Sequence, residues 1–146
     1  SSGPTRSPGS TSLRWRANES SAAGLSRRAP LTTEIHAADP AAHIFEGRLY
    51  IYCSHDSPVR DESLEVPEFN MVDYRPLSLD LRGGRTVVHD VALALAEVPW
   101  AGQKMWAPDA ALRNGTYFLY FPAMDRAGIF RIGVATSSRP HGPFTA

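Results

Sequence analysis

From Leu31 onward the chain is a succession of short apolar runs broken by turn residues, and no stretch keeps a helical period over a useful length. The densest run is Tyr117-Phe-Leu-Tyr-Phe121, which lies just behind Asn114-Gly115. Asn-Gly accepts positive φ at both central positions of a tight turn, so Gln103 to Asp125 is predicted to form a β-hairpin. A second stretch, Ala38 to Asp56, follows the same order of events. An Asp beside a Pro leads into a short strand, a turn ending in Gly47, a second strand over Leu49 to Cys53, and a closing Asp. Aligned on Gly47 and Gly115, the two copies are 68 positions apart (115 − 47). Two copies of one all-β unit point to a repeat architecture built from propeller blades.

The other predicted elements fit around these copies. Ile35 to Ala38 is a short first strand, and Ala42 to Phe45 with Arg48 to Cys53 form a hairpin over Glu46-Gly47. Ser54 to Asn70, with several acids and two prolines, is expected to be an exposed loop. Val72 to Leu79 and Arg85 to Val91 would complete a four-stranded sheet, turning at Gly83-Gly84. Val91 to Val98 could pass for a short helix, but it stops at Pro99. The second unit supplies Met105 to Leu112, Thr116 to Pro122 and Phe130 to Thr136, and Gly142-Pro-Phe144 leads towards an outer strand. The predicted class is all-β. Two blades do not close a ring, because a propeller needs at least about four to remove its open edges. The chain is therefore expected to be a fragment of a larger ring, with assembly from copies of itself as the alternative.

Residues 1–30 are rich in Ser, Arg, Gly and Pro, with Glu19 the one acid. Too few apolar residues are present to offset the entropy of ordering, so this stretch is expected to be a disordered tail. The composition is also that of an organelle transit peptide. The domain proper is placed at 31–146. Asn18-Glu-Ser20 and Asn114-Gly-Thr116 match the glycosylation acceptor pattern, although the second is already explained as a turn. The 15 basic and 15 acidic residues cancel, which gives no global field favouring nucleic acid or an anionic membrane. No apolar run approaches the ~20 residues that span a bilayer. The lone cysteine, Cys53, excludes an intrachain disulfide and is expected to be a small buried thiol. Compartment stays open, with a secreted or extracytoplasmic one slightly favoured.

In a propeller the innermost strand of each blade lines a central channel, and the loops leading into those strands surround one mouth. Asp39 and Asp109 are both expected at that mouth, one per blade. Carboxylates converging from separate blades suit hydrolysis of a sugar bond, where one protonates the leaving oxygen and another activates water. The competing explanation is that Asp-Pro and Pro-Asp are ordinary turn signals. Ser54-His55-Asp56 has the residue types of a catalytic triad, but three consecutive residues on an extended chain do not converge. The five histidines show no paired metal spacing, so no protein-bound metal or other cofactor is expected. His43 is expected to be a strand residue, and Trp100 to pack in a loop.

Several ordered motifs carry a family resemblance. Ala38-Asp-Pro-Ala-Ala-His43, Ser54-His-Asp56, Val98-Pro-Trp100, Met105-Trp-Ala-Pro-Asp109, Tyr117-Phe-Leu-Tyr-Phe-Pro122, Phe130-Arg-Ile-Gly-Val134 and Gly142-Pro-Phe144 together resemble the first part of glycoside hydrolase family 43. The resemblance runs from about Leu31 to Ala146. It implies a five-bladed β-propeller, of which about the first two blades are here, acting as a β-xylosidase or α-L-arabinofuranosidase with inversion. Asp39 then matches the general base. Trp106 and Ala107 belong to the wall of the sugar subsite, with Asp109 nearby as a polar contact or loop anchor, and His55 and Asp56 join the substrate-binding set. The implied partner is a xylose- or arabinose-containing carbohydrate, with no nucleic acid or membrane. The family's pKa-tuning Asp and general-acid Glu would fall beyond Ala146, so the 146 residues alone are expected to be inactive. A carbohydrate-binding propeller without an acid is the alternative, and a glycosyl-transferring or sucrose-cleaving relative, with Asp39 as nucleophile, is a third reading.

Overall fold

A computed structural model describes residues 29–58 and 69–146. The expected tail, the Asn18 acceptor pattern and the middle of the expected 54–70 loop lie outside the described residues. Among the described residues ten strands form two sheets. The first holds β1 (Ala37–Phe45), β2 (Arg48–Pro58), β3 (Phe69–Tyr74), β4 (Leu77–Asp80), β5 (Val87–Val88) and β6 (Leu93–Ala94). The second holds β7 (Ala101–Gln103), β8 (Asp109–Arg113), β9 (Thr116–Asp125) and β10 (Phe130–Ser137). A 3-10 turn at Leu95–Glu97 replaces the short helix that Val91 to Val98 could have formed. Among the described residues no helix is long and apolar enough to cross a membrane.

Both predicted turns are present and have the φ > 0 pair they require. Glu46 and Gly47 stand at φ 51° and 74°, Asn114 and Gly115 at 51° and 75°. The sheet registers make the repeat quantitative. Ala41 faces Tyr52 and Phe45 faces Arg48 in the first sheet; Asp109 faces Tyr120 and Arg113 faces Thr116 in the second. Each pair is displaced by 68 positions, the offset of the two turn glycines.

Three expectations are corrected. The strand predicted over Val72 to Leu79 is two strands, β3 and β4, which lie end to end along β2. Buried Pro76 sits at the break, where its missing N–H interrupts the ladder. The strand expected over Met105 to Leu112 is likewise interrupted. β7 and β8 both pair with β9, and residues 104–108 arch away between them, with Lys104 at φ 58°. The polar stretch after Ser54 is strand as far as Pro58, since Asp56 and Ser57 pair with Met71 and Asn70.

The sheets pack face to face. Phe45, Tyr50, Tyr52 and Tyr74 from the first meet Ala110, Tyr117, Leu119, Phe121, Ala123 and Ala135 from the second. Phe45 stands edge-on to Tyr117 at 5.2 Å between centroids, and Tyr74 edge-on to Phe121 at 6.0 Å. Polar bonds cross the same joint. Tyr52 Oη donates to Pro140 O at 2.5 Å, Tyr117 Oη to Glu46 Oε1 at 2.9 Å, and Phe144 N to Ala92 O at 2.7 Å. On the far side of the first sheet Ile51, Cys53, Leu77 and Leu79 form a smaller apolar cluster, where burial pushes the Cys53 thiol up to about 11. The far face of the second sheet leaves Tyr120, Ile132 and Val134 exposed.

Candidate active site

Strand direction places one set of loops at the end opposite the Gly47 and Gly115 turns. Here β1 begins, β2 and β9 end, and the 104–108 arch lies. Asp39 sits at this end in a β-bulge of β1, between the paired residues Ala38 and Ala41. Its φ is 52°, a left-handed conformation uncommon for any residue but glycine, and tolerated by Asp better than by most. Its side chain is exposed, and among the described residues no hydrogen bond reaches it. Pro40, next to it, lines an apolar hollow of about 220 Å3 with Ile35, Ile51 and Leu77. Non-glycine residues held left-handed at a bulge concentrate where a side chain is aimed for use.

The 68-residue offset shows which residue answers to Asp39 in the second sheet, and it is Ala107. Asp109 answers to Ala41, so the expected pairing of Asp39 and Asp109 at equivalent mouth positions is corrected. Asp109 is the first residue of β8, already inside the ladder. Its Oδ1 lies 2.6 Å from His43 Nε2 on β1 and accepts a 2.7 Å bond from its own neighbour, Ala110 N. His43 is a strand residue, as expected.

Trp106 and Ala107 are exposed on the arch. The Trp106 ring lies 4.1 Å from Phe130, centroid to centroid, and the residue keeps 40% of its surface open. His55 and Asp56 end up in different surroundings. His55 Nδ1 meets Asp73 Oδ1 at 2.5 Å, with both side chains mostly buried. Asp56 Oδ1 is buried with no partner among the described residues. Sequence reasoning missed Asp73, which carries no motif signal and reaches His55 only because β3 pairs with β2. Trp100 stacks on Phe121 at 6.1 Å against the core, the packing role expected of it. Among the described residues no three His, Cys, Asp or Glu come together to hold a metal.

No family model matches the chain. Individual proteins do. A xylosidase/arabinosidase of Humicola insolens is 49% identical over 123 residues, which is 80% of this chain and 37% of that protein. A xylosidase/arabinosidase of Bacteroides ovatus is 46% identical over 110 residues, covering 73% and 34%. The solved β-xylosidase/α-arabinofuranosidase of family 43 from a compost metagenome, in complex with xylotriose, superposes at a TM-score of 0.74 with 49% identity, over 80% of this chain and 36% of its own. The chain is homologous to family 43 glycoside hydrolases. It spans about a third of the length of the relatives it matches. The two sheets correspond to two blades of the β-propeller of these relatives, with β1 at one edge of the first sheet and β7 and β8 along one edge of the second. A family 117 glycoside hydrolase at 22% identity and a TM-score of 0.59 shares the fold.

Proposed function

We propose that these residues supply the general base and one sugar-facing wall of an inverting glycosidase that acts on xylosides or arabinosides. The observation that carries this is Asp39, an exposed carboxylate held left-handed in a bulge at the blade mouth, next to a proline that stiffens the backbone. Inversion needs one carboxylate that stays ionised and takes a proton from water on the sugar face opposite the acid, with the two carboxyls roughly 6.5–9.5 Å apart. An exposed Asp suits this role, because water reaches its carboxylate directly. Trp106, half open on its arch, offers apolar contact and shape to the ring. In this reading the acid comes from another blade, and His55 and Asp56 bind sugar hydroxyls at the same mouth.

The test uses a chimaera in which residues 29–146 replace the matching third of the Humicola insolens relative. Asp39→Asn keeps the shape but removes the acceptor for the water's proton. It should cut kcat on an aryl xyloside or arabinoside by at least ~10²-fold. Its melting curve should stay close to the parent's. A near-parental kcat would remove Asp39 from catalysis and leave a carbohydrate-binding role.

A further inference from the structure

Trp106 is placed by a residue of the other blade. The 104–108 arch has left the sheet, so its backbone groups need partners elsewhere. Met105 N donates to Met71 O at 2.9 Å, and Trp106 N donates to Pro122 O at 3.1 Å. The Trp106 carbonyl accepts a 2.6 Å bond from Tyr74 Oη. Tyr74 is 1% exposed and its ring stands edge-on to Phe121, which leaves the hydroxyl little freedom to turn elsewhere. Burial raises the hydroxyl's pKa far above the ordinary tyrosine value, so it stays a donor at any working pH.

We infer that Tyr74 is a positioning residue for the sugar subsite, acting from the first blade through the Trp106 carbonyl. This rests on the proposed role of Trp106 as a sugar-facing wall. The peptide plane after Trp106 is fixed by where its carbonyl points, and that plane sets both the root of the indole and the path into Ala107. The ring itself lies against Phe130 and keeps part of its surface open. The two anchors on the first blade, Met71 O and Tyr74 Oη, belong to one strand, β3. Wall and base are thereby referred to the same sheet, since β3 pairs with β2 and β2 with the bulged β1 that carries Asp39. A phenylalanine at 74 would fill the same space and lose that reference.

The experiment is a double-mutant cycle in the chimaera, read as KM and kcat separately on an aryl xyloside. Tyr74→Phe should raise KM about fivefold, the worth of one buried hydrogen bond, with kcat within about twofold of the parent. Trp106→Ala should raise KM by more. In the Trp106→Ala background Tyr74→Phe should add less than about twofold, because a residue that acts through the indole has nothing left to position. An unchanged KM in Trp106→Ala overturns the wall and this inference together. A raised KM in Trp106→Ala overturns the assignment of Tyr74 alone if Tyr74→Phe leaves KM unchanged, or if its full effect persists on top of Trp106→Ala.

Discussion

His43 and Asp109 meet across the joint between the two blades, Nε2 to Oδ1 at 2.6 Å, although 66 positions separate them. They come from β1 and β8, so the contact ties together an edge strand of each sheet. The side chains keep 37% and 62% of their surface open, and water competes for both partners.

The pair should therefore align the strands more than it stabilises them. A cycle of His43→Ala and Asp109→Asn, followed by urea denaturation, should give a coupling energy of about 0.2–1 kcal/mol. A coupling above about 2 kcal/mol would mean that the pair is shielded from solvent.

Asp39 is held in a backbone conformation that suits glycine. Asp39→Gly relieves it but adds freedom to the unfolded chain, and the two effects should cancel to within about 1 kcal/mol. Asp39→Val puts a β-branched residue at φ 52° and should be less stable than Asp39→Gly by more than about 1 kcal/mol. Equal denaturation midpoints for the Val and Gly variants would show that the bulge relaxes freely.

Gly133 sits where β10 crosses the aromatic core of the joint. A Cβ there would fall 2.5 Å from a ring atom of Phe121 and 2.8 Å from one of Trp100, so the aromatic rings would have to shift to admit it. Gly133→Ala should cost about 1–3 kcal/mol, read from the same denaturation curves. A variant as stable as its parent would show that the joint is loosely packed.

The joint also carries a pH dependence. His89 stacks on His141 with 4.5 Å between centroids. Burial, then the facing His141 and Arg48, lower its pKa from 6.5, against a smaller opposite pull from Asp90. The folded value lies below the unfolded one, so the unfolded chain binds the extra proton and stability falls as pH drops through 6.5 and below. Melting temperatures measured from pH 7.5 down to 5 should decline, and His89→Gln should flatten the decline. An equally steep curve for His89→Gln would assign the effect to other groups.

The hairpins were legible because φ > 0 residues mark their turns, and the 68-residue repeat followed from those turns. Asp109 was misread because Asp-Pro and Pro-Asp look alike as neighbours. Counted back from the turn glycine, Asp39 lies eight positions away and Asp109 six, which places Asp39 within the bulge and Asp109 at the first position of the regular ladder beyond the arch. Neither break could be sized from periodicity, since Val72 to Leu79 alternates apolar and polar residues on both sides of Pro76. The partners of Asp109, His55 and Trp106 were out of reach altogether. His43, Asp73 and Tyr74 reach them through strand pairing and blade packing, which leave no local signature.

The first copy has Asp39 at the position where the second has Ala107. A perfectly duplicated unit would have set the same group at every mouth position, giving a ring of like carboxylates around one axis. Such a ring resists full ionisation, because each new charge raises the cost of the next. It could bind something symmetrical, but it would treat the two faces of a sugar alike. A reaction with a direction needs different groups at matching addresses. In this chain the scaffold repeats, and the departure from the repeat is where the chemistry can begin.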